Sequence, residues 1–186
     1  EPPKALEVLI DDIAEILFVT DIKKILHKFY VEGKGNDPII HFYETFLSVY
    51  DPKLRESRGV YYTPEPVVRY IVRSIHSLLK SHFGKDDGLA SFDVTLLDPA
   101  AGTLTFPAVA IRTAIDEYKA KYGDGNVHKL IKEHILPHFY AIELMMAPYT
   151  VGHLKIGYLL AEMEYNMSED ERFKLFLSNT LEPDVP

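Results

Sequence analysis

Cysteine is absent from the 186 residues. Disulfides, thiolate zinc sites, cysteine nucleophiles and sulfur redox chemistry are therefore excluded, and a reducing, cytoplasmic setting is expected. Long apolar runs are absent too. None approaches the roughly 18 residues that a bilayer-crossing helix needs, and the charged, proline-containing start Glu1 to Glu7 is unlike a secretory signal. A soluble protein with no membrane partner is expected. Positive charge is in short supply, with 20 Lys+Arg against 28 Asp+Glu and a net charge of −8. That is the wrong sign for a surface that neutralises many phosphates, so if DNA is a partner this chain is not its main grip. What remains is ordinary. At 47% hydrophobic and 26% charged, the composition argues against disorder, and the length suits one α/β domain with a helical attachment.

Leu6, Leu9, Ile10, Ile13, Ile16 and Leu17 repeat at helical spacing, as do Ile22, Ile25, Leu26 and Phe29, and then Ile39, Phe42, Tyr43, Phe46 and Leu47. Turn residues separate these runs at Gly33 to Pro38 and at Asp51-Pro52, which predicts a small all-helical region over residues 1–57. Thr63-Pro64 is suited to be the N-cap and first residue of a long helix with a core stripe of Val67, Val68, Ile71, Ile75, Leu78 and Leu79. Val94-Thr95-Leu96-Leu97 is short, apolar and partly β-branched, and predicts a buried strand ending at Asp98. A helix through Phe106, Ile111 and Ile115 follows, then a turn at Gly123 to Asn126 and a shorter helical piece to about Ile135. His138 to Ile142 predicts a second strand, a helix with Val151, Leu154 and Tyr158 on its core face follows, and Phe173 to Leu177 predicts a third. This order implies right-handed parallel crossovers and an α/β sheet over residues 58–186.

In open α/β sheets ligands bind beyond the carboxyl ends of the strands. Asp98-Pro99-Ala100-Ala101-Gly102-Thr103 occupies that place after the first strand, with Gly102 permitting close backbone approach and Asp98 supplying negative charge. The loop lacks the lysine and flanking glycines of a phosphate loop and the Gly-x-Gly-x-x-Gly of a dinucleotide site, and its acid repels pyrophosphate. A cationic or zwitterionic ligand is therefore expected. Glu143, at the end of the second strand, is placed to accept both hydroxyls of a ribose. Its position at a strand end predicts that its loss costs affinity and little stability. A ribose-bearing cation with an amino-acid end is S-adenosylmethionine.

Three ordered stretches carry a family resemblance: Arg58-Gly59-Val60-Tyr61-Tyr62-Thr63-Pro64, Leu97-Asp98-Pro99-Ala100-Ala101-Gly102-Thr103-Leu104-Thr105-Phe106, and Phe139-Tyr140-Ala141-Ile142-Glu143-Leu144. Together they resemble the amino-terminal part of adenine-N6 DNA methyltransferases, especially large single-chain restriction-modification enzymes and type I modification subunits. The resemblance implies a partial Rossmann-like, S-adenosylmethionine-binding fold behind the helical lead-in. It assigns Tyr62 and Thr63 to the methionine end and Asp98, Pro99, Ala100, Gly102 and Thr103 to the cofactor loop. Glu143 and Leu144 fall at the ribose, and Asn179, in Leu177 to Glu182, at the adenine. Two departures stand out. Leu104 replaces the family's second loop glycine, which is expected to reshape the loop or narrow the methionine pocket. The Asn/Asp-Pro-Pro-Tyr motif that holds the target amine does not occur, so no catalytic residue is assigned and the chain alone is expected to be inactive. The resemblance also implies DNA contact, target recognition, nuclease and motor functions through other parts of a longer protein.

Each residue also has a plainer reading. Thr63-Pro64 suffices as a helix start, Glu143 can cap the helix behind it, and Asn179 can be a turn residue. His128, His134 and His138 straddle a helix and a strand and are not expected to hold a metal. Met145-Met146 and the front-end tyrosines read as core. Beside the methyltransferase reading stand two others: a degenerate, non-catalytic interaction module of a restriction complex, and a methyltransferase for RNA or a small molecule.

Overall fold

The computed structural model describes residues 63–182. The helical lead-in expected over residues 1–57, together with Tyr62, lies outside the described residues. The elements run α1 (Glu65–His82), β1 (Leu96–Asp98), α2 (Thr105–Tyr122), α3 (Val127–Leu130), a π-helical turn (Ile131–Ile135), α4 (Leu136–His138), β2 (Phe139–Glu143), α5 (Met146–Glu162) and β3 (Lys174–Leu177). The three strands form one parallel sheet in the order β1-β2-β3, with Leu97 opposite Tyr140 and Glu143 opposite Leu177. This is the α/β arrangement expected from the alternation of apolar runs, with each strand beginning a residue or two later than predicted.

Period-two alternation sorts the strands into two faces. Phe139, Ala141 and Leu175 point into a core shared with Leu104, Ile111 and Ile115 near and on α2 and with Ile156 and Leu160 on α5. The other face carries Leu97 and Phe176, both exposed, and the half-buried Tyr140 and Ile142.

Two helices turn differently from the prediction. On α1 the buried residues are Val68 and Val72, with Leu79 packed alongside, whereas Val67, Ile71, Ile75 and Leu78 are exposed. On α5 the core face is Pro148, Gly152, Ile156, Leu159 and Leu160, and the expected Leu154 and Tyr158 face outward. Both helices carry apolar residues on more than one side, so periodicity alone does not select the face that packs. On α1 the choice follows His76, on the same side as Val72, whose Nδ1 accepts the Leu89 N–H at 3.2 Å. Gly88 sits directly against that imidazole.

The start of α1 is also corrected. Pro64, not Thr63, is the N-cap, and no side chain caps the helix. A Thr63 cap would bond the amide two or three residues into the helix, and Pro66, at the third of those positions, has no N–H to give. The Pro64 carbonyl instead accepts the Val67 amide at 2.9 Å. α1 is tied to α2 through Glu117, which receives Lys80 at 2.6 Å and Lys121 at 3.1 Å. Burial pushes the Glu117 carboxyl up, but the two lysines outweigh it and take it down to about 2.

Candidate functional site

Three segments converge at the carboxyl ends of the strands. The loop after β1 is held to β2 by its backbone, with the Ala101 N–H donating to the Ile142 carbonyl at 3.0 Å. The segment after β3 closes on both. The Ser178 amide donates to the Glu143 carbonyl at 3.0 Å, and the Thr180 hydroxyl donates to the Pro99 carbonyl at 2.6 Å.

Glu143 is the centre of this arrangement and is 9% exposed. Its Oε2 accepts the Gly102 amide at 2.8 Å and its Oε1 accepts the Met145 amide at 2.8 Å, where Met145 is the N-cap of α5. The helix-capping reading of Glu143 is thus realised, together with a second bond, to the loop, that the sequence did not reveal. Because two backbone donors depend on this carboxylate, the structure argues for a larger stability cost on its loss than its strand-end position suggested. A carboxylate has about four acceptor positions, so two remain beyond the two backbone bonds.

Asp98 sits beside it. Oδ1 accepts the Ala100 amide at 3.2 Å, while Oδ2 is buried without a hydrogen-bond partner. Burial raises its carboxyl above the ordinary carboxylate value, the Ala100 amide opposes this, and the negative charge of Glu143 raises it further. Two acids near each other, one with an unpaired buried oxygen, form a place where positive charge is favoured.

Gly102 (φ +54) and Leu104 (φ +61, ψ 37) both adopt the left-handed conformation. The Leu104 amide closes a turn on the Ala101 carbonyl at 2.9 Å, and its own carbonyl accepts Ala108 at 3.0 Å, so it is the last residue of the loop and the cap of α2. The conformation costs a non-glycine residue about 1–2 kcal/mol. Burying a leucine side chain returns about 1.5–3 kcal/mol, and Leu104 is 0% exposed. The side chain therefore lies in the core and does not narrow the space above the loop.

Of the remaining sequence-predicted residues, Pro99 and Ala100 are exposed, Thr103 is half-buried, and Leu144 is exposed. Asn179 makes a local turn, its Oδ1 accepting the Leu181 amide at 3.1 Å and its Nδ2 donating to Glu182 at 3.4 Å. No hydrogen bond among the described residues links Thr63 to the loop. Sequence reasoning missed Met145, Thr180 and Gly152; only the pairing of an acid with Pro148 in the following first turn hinted at the α5 cap. Among the described residues no group of three or more His, Asp or Glu is arranged to hold a metal, and no helix is long and apolar enough to cross a membrane.

The sequence pattern of the family described as N-6 DNA Methylase matches residues 34–183. The chain belongs to the N-6 DNA methylase family. Solved structures are similar to the chain as well. A cryo-electron-microscopy structure of a DrdV–DNA complex is 29% identical with a TM-score of 0.60 over 77% of this family member. The ATP-dependent Type ISP restriction-modification enzyme LlaBIII bound to DNA is 28% identical, with a TM-score of 0.55 over 65%. A nuclease-deletion mutant of the Type ISP enzyme LlaGI, in complex with a DNA substrate mimic, shares the fold at 22% identity, with a TM-score of 0.56 over 95%. The chain spans only 12%, 8% and 14% of those chains' lengths. No match to a curated protein was found.

Proposed function

We propose that this chain is the S-adenosylmethionine-holding part of a site-specific DNA adenine-N6 methyltransferase of a restriction-modification system. The observation that carries the reading is the unpaired, buried Oδ2 of Asp98 beside Glu143, a pair of acids at the carboxyl ends of the neighbouring strands β1 and β2. The residues fit the cofactor. A sulfonium with an ammonium group offers the positive charge that Asp98 lacks a partner for, and a ribose diol offers two donors for the open acceptor positions of Glu143. S-adenosylmethionine supplies, when bound, an electrophilic methyl group for transfer to the adenine amine.

The chain's own residues bind and orient. Asp98 holds positive charge, Glu143 takes the ribose, and the Pro99, Ala100, Gly102 and Thr103 backbone allows close approach. Leu144 flanks the ribose side and Asn179 the adenine side, with Tyr62 and Thr63 at the methionine end. Residues 58–186 make up the cofactor part, preceded by the lead-in of residues 1–57, in a cytoplasmic protein. DNA contact, target recognition, nuclease and motor functions belong to further parts of a longer protein. Positioning of donor and target then provides most of the rate.

One observation favours the second reading, a non-catalytic module: both Glu143 oxygens already hold backbone amides. Equilibrium dialysis with labelled S-adenosylmethionine decides between the two. Saturable retention that excess ATP does not displace is expected. A folded chain that retains none, or that yields its label to ATP, overturns the cofactor reading in favour of the module.

A further inference from the structure

We infer that Leu104 is a positioning residue for the loop after β1, acting through a notch at Gly152. This extends the cofactor-loop reading above and rests on it only for the affinity measurement described below. A Cβ built on Gly152 would lie 2.9 Å from Leu104 Cγ, 3.0 Å from its Cδ1 and 3.3 Å from Leu175 Cδ2. A side chain at position 152 and the leucine at 104 therefore exclude each other, and Gly152 is where α5 makes room for the loop.

The contacts form a closed circuit. Glu143 holds the first turn of α5 through the Met145 amide. α5 receives Leu104 at Gly152. Leu104 ends the turn that contains Gly102, with its amide on the Ala101 carbonyl. Gly102 then donates back to Glu143. Glycine at 104 would adopt the same φ without strain but would hold nothing; leucine accepts the strain and fastens the loop to α5 by its side chain. Packing, rather than backbone freedom, thus sets where the Gly102 amide stands.

Amide hydrogen exchange at Gly102 tests this in the full chain, without any ligand. In Leu104→Gly and in Gly152→Ala, Gly102 is expected to lose protection by roughly tenfold or more relative to core amides such as Ile111, which report global unfolding. Leu104→Ala/Gly152→Ala places a methyl in the vacated space and is expected to recover protection relative to Gly152→Ala alone. Where Leu104→Gly does not fold, Leu104→Met serves instead, and the same selective loss in smaller measure is expected. S-adenosylmethionine affinity, measured on the folded variants, should fall by roughly tenfold in step with the Gly102 protection. A merely structural leucine would lower the unfolding midpoint while leaving both the Gly102-to-Ile111 protection ratio and the affinity at wild-type values, and that result overturns the proposal. Failure of wild-type protein to bind the cofactor would sink the reading of the site, while the exchange ratio would still decide the role of Leu104.

Discussion

The Gly102 amide and the Glu143 carboxylate, 41 residues apart in the chain, are joined by a 2.8 Å hydrogen bond across the ends of β1 and β2. With the second bond from Glu143 to Met145, this makes the acid a structural clasp as well as a candidate ligand. Glu143→Ala strands two backbone donors at once, and a hydrogen bond to a charged group is worth about 1.5–3 kcal/mol. Unfolding of the unliganded variant in urea should show a loss on the order of 3 kcal/mol or more. A variant as stable as wild type would mean that water replaces both bonds at no cost.

Gly88 is a second point where geometry leaves no choice. Its φ is +56, and an added Cβ would stand 2.5 Å from the His76 imidazole. Gly88→Ala must therefore push His76 off the Leu89 amide or distort the turn before β1, at a cost of about 2 kcal/mol or more. Thermal unfolding measures this directly, and a wild-type midpoint would contradict the packing of α1 on that turn.

Acid should loosen the fold through His134. It is fully buried in the π-helical turn, with Nε2 on the Leu89 carbonyl at 2.9 Å and Nδ1 unpartnered. Burial lowers its pKa, the Leu89 bond opposes this, nearby His138 lowers it further and Asp93 opposes. Because the folded value lies below the ordinary 6.5, the unfolded chain takes up the proton first. Its contribution to stability is complete above that value and declines as pH falls through it. Urea midpoints should drop as pH falls below about 6.5, the unfolded value, and His134→Gln, which keeps a donor without titrating, should flatten that part of the profile.

The strands were legible in the sequence because each is a short apolar run stopped by Asp98-Pro99, by Glu143 or by Ser178-Asn179. Their parallel order followed from the helices between them. The faces of α1 and α5 were not legible. Val67, Val68, Ile71 and Val72 surround one helix and Leu154, Ile156, Tyr158 and Leu160 the other, so which side packs depends on partners distant in sequence. The site was legible as residue types at strand ends, Asp98, Gly102 and Glu143. Their mutual bonds were not, because the Gly102–Glu143 contact and the match of Leu104 to Gly152 exist only once the sheet has formed.

Methyl transfer to DNA should be absent from this chain alone, since the Asn/Asp-Pro-Pro-Tyr motif does not occur in its sequence. Tritiated-methyl incorporation into plasmid DNA should not exceed that of heat-killed protein. Incorporation above that control would show that other residues hold the target base.

Asp98 carries the account's central claim, that the strand ends hold a cationic nucleoside. Because burial and Glu143 raise its carboxyl, folding binds its proton more tightly than the unfolded chain does. Its ionisation therefore reduces stability as pH rises through the ordinary carboxylate range and above. Asp98→Asn keeps the acceptor for Ala100, removes the charge, and should leave the unliganded protein at least as stable at neutral pH. Calorimetric titration with S-adenosylmethionine, comparing wild type with Asp98→Asn at neutral pH, is the most direct measurement. Binding by wild type and affinity weakened by roughly tenfold or more in a variant that unfolds no earlier is the predicted result. Equal affinity in the two proteins, or no binding by folded wild type, would contradict it.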